Sequence, residues 1–395
     1  MAHPIFTQLN PNFDLSDSRL ASRLLVKTLL GKVDQKAIPE VETWFARKFG
    51  GEAVLFNSGR AAELAIFKVL AIPESREAIV QPFTCVAAIN PVWWAGLKPV
   101  FTDIEEDTLC LDSRRIAENI NTATKAILVQ HTFGNVPDYK KILPIARKCG
   151  IPVIQDCAHT LEAKLVGTAA FFSLGSGKVV SGVSGGVVVT KDKHLAKKLA
   201  RLRDGGKKPP KLWQSRQLLY PLLMPLVEKM YQYNFTTGKV GHKIVRPLFA
   251  KPVEKLEKQG RAPSWLTLAP SPVLAELALK QLEQYPKQLA REQALLAEYQ
   301  KRFQGSGSLI YNILRRNAKA VIAEAKKQRI FLGNWYSNVI DPKGVDLEAV
   351  GYKKGSCPVA EKVATQSINL PVNKKISLED VKIVVEELLL CKEPK

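Results

Sequence analysis

Three short segments of this chain hold residues whose types and spacing could do chemistry. The first is Asn57-Ser58-Gly59-Arg60, between an apolar run and an amphipathic one. A helix starting there would offer free N–H groups and its positive dipole end to an anion, and Gly59 would let the backbone approach closely. Taken alone, Ser-Gly before a helix also reads as ordinary capping. The second segment is Asp156-Cys157-Ala158-His159, after another apolar run. A carboxylate at the carboxyl end of a strand faces a site, not the core, and there it could keep a ring nitrogen protonated. In isolation, Asp-x-x-His equally suits a helix cap with a surface histidine. The third runs Phe172-Ser173-Leu174-Gly175-Ser176-Gly177-Lys178 and on through Gly185-Gly186. A lysine among small residues can be desolvated, and the neutral amine that results can form an imine with an aldehyde. Ser173 and Ser176 could bond phosphate. A surface lysine in a glycine-rich turn is the plainer alternative.

Positioning these groups requires regular elements, and the sequence supplies them. Strand-like runs cover Ala53–Phe56, Ala78–Val80, Pro99–Thr102, Ala126–Gln130, Pro152–Gln155, Ala169–Leu174 and Gly186–Thr190. Helices fit Ala61–Leu70, Cys85–Ala95 and Tyr139–Cys149 between them. Short apolar strands alternating with helices predict a mostly parallel sheet covered on both faces, with ligands at the carboxyl ends of the strands. Ahead of the sheet, Val41, Trp44, Phe45 and Phe49 share one helical face, and Gly50-Gly51 ends that helix. The expected organisation is an N-terminal helical segment (1–50), a large domain (51–206), a basic insertion rich in proline and aromatics (207–270), and a long helix with a small C-terminal α/β domain (271–395). In the last helix, Ser377 is expected to cap and Asp380 to sit at the third helical position.

Composition narrows the class. The chain is 46% hydrophobic and 24% charged, as in a soluble globular protein, and carries a net charge of +21. That charge suits anionic substrates, nucleic acid or an anionic membrane surface, or simply a solvated basic exterior. Nucleic acid ranks last, because the basic residues are not generally interleaved with aromatics. The six cysteines form no CxxC, so neither zinc nor redox motifs are supported. No basic-then-apolar leader opens the sequence, and no apolar stretch approaches the roughly 20 residues of a membrane span. A cytoplasmic location is expected, with a position peripheral to the inner membrane face as the alternative. The segment 207–270 has twelve Lys/Arg against three Glu. It reads as a membrane-surface or docking element, or as a helical hairpin packed on its own domain. Its prolines, expected to interrupt any long amphipathic helix, favour the hairpin.

The order and spacing of the three chemical segments resemble those of the DegT/DnrJ/EryC1/StrS family, nucleotide-sugar aminotransferases that use pyridoxal 5′-phosphate (PLP) on the aspartate-aminotransferase fold. The resemblance runs from Phe49-Gly50-Gly51 through NSGRAA, KAILVQHTFGNVPD, IPVIQDCAHTLEA and the lysine segment to the closing CPVAEKVATQSINLPVNKKISLEDVKIVVEEL. It implies PLP fold type I, with a mostly parallel seven-stranded sheet and a small C-terminal domain. It further implies that Lys178 is the Schiff-base lysine and Asp156 the partner of the pyridine nitrogen. His159 would lie near the ring, and Ser58, Gly59, Arg60 and Ser173 would hold the phosphate. Cys85 stands where the family has a ring-stacking aromatic, with Phe83 as a substitute. Glutamate as donor, a nucleotide-sugar acceptor and a homodimer also follow from the resemblance, as does a role in cell-surface glycan synthesis.

Several positions depart from the family pattern. Arg60 replaces the usual Thr, the run before the lysine strand is shortened to Val166–Ala170, and Val183-Ser184-Gly185-Gly186 replaces Gly-Glu-Gly-Gly. The family's Asn-Tyr-Arg is absent near Trp265, and the connection Gly305–Leu309 is short. A PLP-fold protein of another activity, or one with a regulatory or membrane-surface role, is the alternative. The dehydratase branch carries histidine in place of the lysine, so Lys178 argues against it.

Overall fold

The computed structural model describes residues 3–74, 76–249 and 252–391. The seven expected strands all form: β1 (Glu52–Phe56), β2 (Glu77–Val80), β3 (Lys98–Phe101), β4 (Thr124–Gln130), β5 (Val153–Asp156), β6 (Ala169–Ser173) and β7 (Gly186–Thr190). They make one sheet in the order β1-β7-β6-β5-β4-β2-β3. Only β7 runs antiparallel to its neighbours. Alternation along each strand divides the core between the two faces. Val54, Phe56, Ala78, Val80, Leu128 and Phe171 pack on one face, with the helices Gly59–Val69 and Val86–Trp94. On the other, Leu55, Phe172, Val187 and Val189 meet Val41 and Phe45 of the helix Ala37–Phe49. That helix ends on Gly50 in the left-handed conformation (φ 67°), as the glycine pair predicts.

A separate core gathers around the antiparallel pair β8 (Tyr311–Leu314) and β9 (Ser367–Leu370). The closing helix, Leu378–Leu390, opens on the expected capping box: Ser377 accepts from the Asp380 N–H, and the Asp380 carboxylate accepts from the Ser377 N–H. The helix Pro272–Gln300 contributes to both cores, with Ala275, Ala278 and Leu282 in one and Leu295 and Tyr299 in the other.

The basic segment departs from expectation in one respect. Lys211–Tyr233 is a single helix, with Pro221 and Pro225 inside it. A proline at position i leaves the carbonyl of i−4 without its helical donor. For Pro225 that carbonyl belongs to Pro221, and the Ser18 hydroxyl donates to it at 2.9 Å from the neighbouring helix Leu15–Leu30. Tertiary packing thus supplies the bond the ring removes. Ser18→Ala strands this buried carbonyl and is expected to cost about 1–3 kcal/mol in urea unfolding. A second helix, Phe235–Val245, folds back on the first. Gly238 and Gly241 allow the close approach, since a Cβ at either would lie within 2.7 Å of Tyr231 or Met230 atoms.

Candidate functional site

The three chemical segments meet at the carboxyl ends of β1, β5 and β6. Asp156 ends β5, is buried, and accepts a hydrogen bond from the Ala158 N–H at 2.9 Å. Burial pushes its pKa up to about 6, against opposing contributions from that N–H and from the Lys178 ammonium. A carboxylate held this way gains by pairing with a cation. Lys178 lies in the turn after β6, half-buried, and burial lowers its pKa; nearby Cys85 and Asp156 act the other way. Its Nζ sits 4.8 Å from the centre of the Trp335 ring.

The phosphate-type segment is both cap and cradle. Ser58 caps the helix Gly59–Val69, its Oγ accepting from the Ala61 N–H at 3.1 Å. Helix geometry leaves the N–H groups of Gly59 and Arg60 without partners inside that helix. A Cβ on Gly59 would stand 3.0 Å from the Ser173 Cβ and 3.1 Å from its Oγ, so the glycine brings the serine hydroxyl up to the helix terminus. Arg60 borders this cradle with its charge already matched. It pairs with the fully buried carboxylate of Glu257 and lies over the Trp265 ring at 4.6 Å.

His159 is buried and neutral, its pKa held well below the usual imidazole range by burial first and by Lys178 and His131 next. Its Nδ1 accepts from the Phe133 N–H at 3.1 Å, which places its proton on Nε2, 3.3 Å from the Tyr336 hydroxyl. Cys85 caps the helix Val86–Trp94 through its Sγ, and burial raises the thiol to about 11, so it stays protonated. Phe83 is fully buried, edge-on to Phe133 and Tyr336, and so is packed into the aromatic cluster. Both Phe83 (φ 57°) and Phe133 (φ 54°) hold left-handed backbone, which costs about 1–3 kcal/mol each and is typical of residues held in place at a site.

Four residues that the motifs did not reveal complete the setting. Trp335 and Tyr336 reach the lysine and His159 from the C-terminal part; two large aromatics in a Gly-Asn-Trp-Tyr-Ser-Asn loop were the available signal. Glu63, on the helix after Ser58, is 1% exposed with Oε1 unpartnered, and burial, with Asp156 nearby, raises its pKa well above the carboxylate range. Asn12 fastens the lysine turn: its Nδ2 donates to the Lys178 carbonyl at 2.7 Å and its Oδ1 accepts from the Gly177 N–H at 3.2 Å. Asn12→Ala is expected to cost about 1–3 kcal/mol in urea unfolding and to speed hydrogen exchange at the Gly177 amide.

A desolvated lysine and a buried carboxyl at adjacent strand ends, beside a helix N-terminus on a seven-stranded sheet of this order, define a PLP enzyme of fold type I. The chain belongs to the DegT/DnrJ/EryC1/StrS aminotransferase family, which it matches over residues 32–224 and 271–389. The family is PLP-dependent. Among curated relatives it is 33% identical over 184 residues to the L-glutamine:2-deoxy-scyllo-inosose aminotransferase of Streptomyces kanamyceticus, a match that spans 44% of this chain and 43% of that protein. It is 26% identical over 340 residues to a pleiotropic regulatory protein of Geobacillus stearothermophilus, spanning 84% of this chain and 82% of that one. Among solved structures it resembles Helicobacter pylori PseC, an aminotransferase involved in the biosynthesis of pseudoaminic acid. The TM-score is 0.73 at 19% identity, over 98% of this chain and 99% of that one.

Proposed function

We propose that this chain is a transaminase that moves an amino group from glutamate to a keto-sugar carried on a nucleoside diphosphate, working as a homodimer in the assembly of cell-surface glycans. The observation that carries the reading is the pair of Lys178 and Asp156 at adjacent strand ends, an amine and a carboxyl that act on each other through charge and whose pKa values burial shifts in opposite directions. The residues present fit PLP. The Asp156 carboxyl suits a protonated ring nitrogen, the Ser58–Gly59 terminus and the Ser173 hydroxyl suit a phosphate, and the Lys178 amine suits an aldehyde carbon. When bound, PLP supplies an electron sink for the carbanion that forms at the amino acid's α-carbon.

The chain's own groups do the rest. Asp156 holds a proton on the ring nitrogen through charge. Lys178, its pKa lowered by desolvation, would move the proton from the donor's α-carbon to the cofactor's C4′ in one half-reaction, and from C4′ to the acceptor's carbon in the other. His159 acts as a fixed neutral donor through Nε2–H, since Nδ1 is committed to the Phe133 N–H. Trp335 covers the lysine amine and limits water beside it. The basic exterior favours a substrate with two phosphates.

The visible spectrum of the purified protein with PLP, before and after glutamate, tests the reading. Conversion to the aminated cofactor form, reversed by a keto-sugar nucleotide, is the expected result. PLP binding with no amino acid able to convert it would leave the cofactor assignment standing and remove the transaminase.

A further inference from the structure

Residues 225–270 fall between the two segments that match the family, so the outer part of the helical hairpin is not accounted for by the family's reaction. Its inward side is well packed. Met224, Val227, Tyr231 and Phe249 are buried together, and Glu228, the acidic residue of the hairpin, is turned onto Lys375 and Asn10. The outward side is different in kind. On the first helix, Leu226, Lys229 and Tyr233 are exposed at spacings of three, four and seven, which puts them in one row. On the second, Val240 and Ile244 form a row flanked by Lys239 and Lys243, and Leu248 and Arg246 continue it. Tyr233 is 89%, Ile244 67% and Val240 53% exposed, values far from those of a packed aromatic or β-branched residue.

The contacts of Met230 and Tyr231 with Gly241 and Gly238 pair the two helices antiparallel. With 3.6 residues per turn, that pairing turns both exposed rows to the same side. No Asp or Glu occurs from residue 229 to residue 253. The result is a face of apolar side chains edged by lysine and arginine, with no acidic residue in the segment that carries it. We infer that this face seats the protein on an anionic lipid bilayer, with Tyr233, Val240 and Ile244 entering the acyl boundary and Lys229, Lys239, Lys243 and Arg246 meeting the headgroups. Lipid is favoured over a nucleic acid because a phosphate backbone has no use for the apolar row. It is favoured over a second copy because a self-complementary contact would bring these cations onto one another. No helix of the described residues is long and apolar enough to cross a membrane, so the contact is with the surface.

The inference is independent of the cofactor reading, and its test uses no turnover. The PLP-loaded protein is sedimented with vesicles of phosphatidylcholine alone or mixed with phosphatidylglycerol. Binding to the mixed vesicles only, weakened by salt, is expected. Lys239→Gln with Lys243→Gln should lower the partition coefficient about 25-fold, roughly fivefold per cation. Val240→Ser with Ile244→Ser leaves the charge unchanged and should lower it at least about tenfold, through the lost apolar burial. These positions are exposed, and an unchanged circular dichroism spectrum confirms folding. Failure of the wild type to sediment with mixed vesicles overturns the inference. So does binding indifferent to both double variants, which would place it elsewhere on the basic exterior. Binding that responds to the lysines but not to the serine pair marks a general polyanion surface and also overturns it. A change of subunit number in the serine pair, seen by light scattering, would assign the face to a contact between copies instead.

Discussion

Lys178→Ala is expected to abolish conversion of the PLP-loaded protein by glutamate, slowing the half-reaction by about 10³-fold or more, the scale of a removed general acid–base group. Borohydride treatment of the wild type should fix the cofactor to the peptide containing residue 178, and the variant should yield no such adduct. An adduct at another lysine, or an unchanged half-reaction, would sink the assignment. The loss cannot be explained away by unfolding, because the ammonium contributes little to the fold. Its neighbour is the Trp335 ring, and burial lowers its pKa. The unfolded chain therefore binds this proton more tightly than the folded one, and stability attributable to Lys178 rises with pH up to the ordinary lysine value. At neutral pH the alanine variant without cofactor should melt no lower than wild type. A clear fall in melting temperature would mean that the turn depends on the lysine itself, not on Asn12.

How much of this was legible follows the reach of each interaction. β1 to β7 could be read because strands buried on both faces leave short apolar runs, and glycines and helix-period stretches punctuate them. Lys178, Asp156 and Ser58-Gly59 could be read because each sits where a strand ends, and strand ends are local. The hairpin helix Lys211–Tyr233 was misjudged because the bond that tolerates Pro225 comes from Ser18, two hundred residues away in the chain. The pairing of Arg60 with Glu257 was not legible, because nothing beside Arg60 in the sequence announces that carboxylate. Cys85 stands at the position the resemblance gives to an aromatic, and Phe83, its nearest replacement, is packed against Phe133 and Tyr336. Trp335 and Asn12 approach the lysine from opposite ends of the chain, and no spacing rule could have joined them.

Asp156→Asn should separate stability from function at one atom. The buried carboxyl titrates near 6 in the folded chain, against 3.8 when free. Between those values the folded state keeps a proton that the unfolded state has released, so stability falls as pH rises through the window. Above it the full penalty is present, about 3 kcal/mol at roughly 1.4 kcal/mol per unit. Asparagine keeps an oxygen for the Ala158 N–H and carries no charge. The cofactor-free variant is therefore expected to be more stable than wild type at pH 8, by up to about 3 kcal/mol, and no more stable below pH 4. A cation beside Asp156 turns the same charge from a cost into an anchor, which is why PLP should stabilise wild type more than the variant. Without that charge the ring nitrogen loses its proton, and the glutamate half-reaction should slow by about 10²-fold or more. Thermal melts at both pH values, with and without PLP, measure the first effect, and single-turnover absorbance the second. A variant less stable at pH 8 would show that this carboxyl does not strain the empty site, and one that still turns over at the wild-type rate would show that it does not serve the filled one.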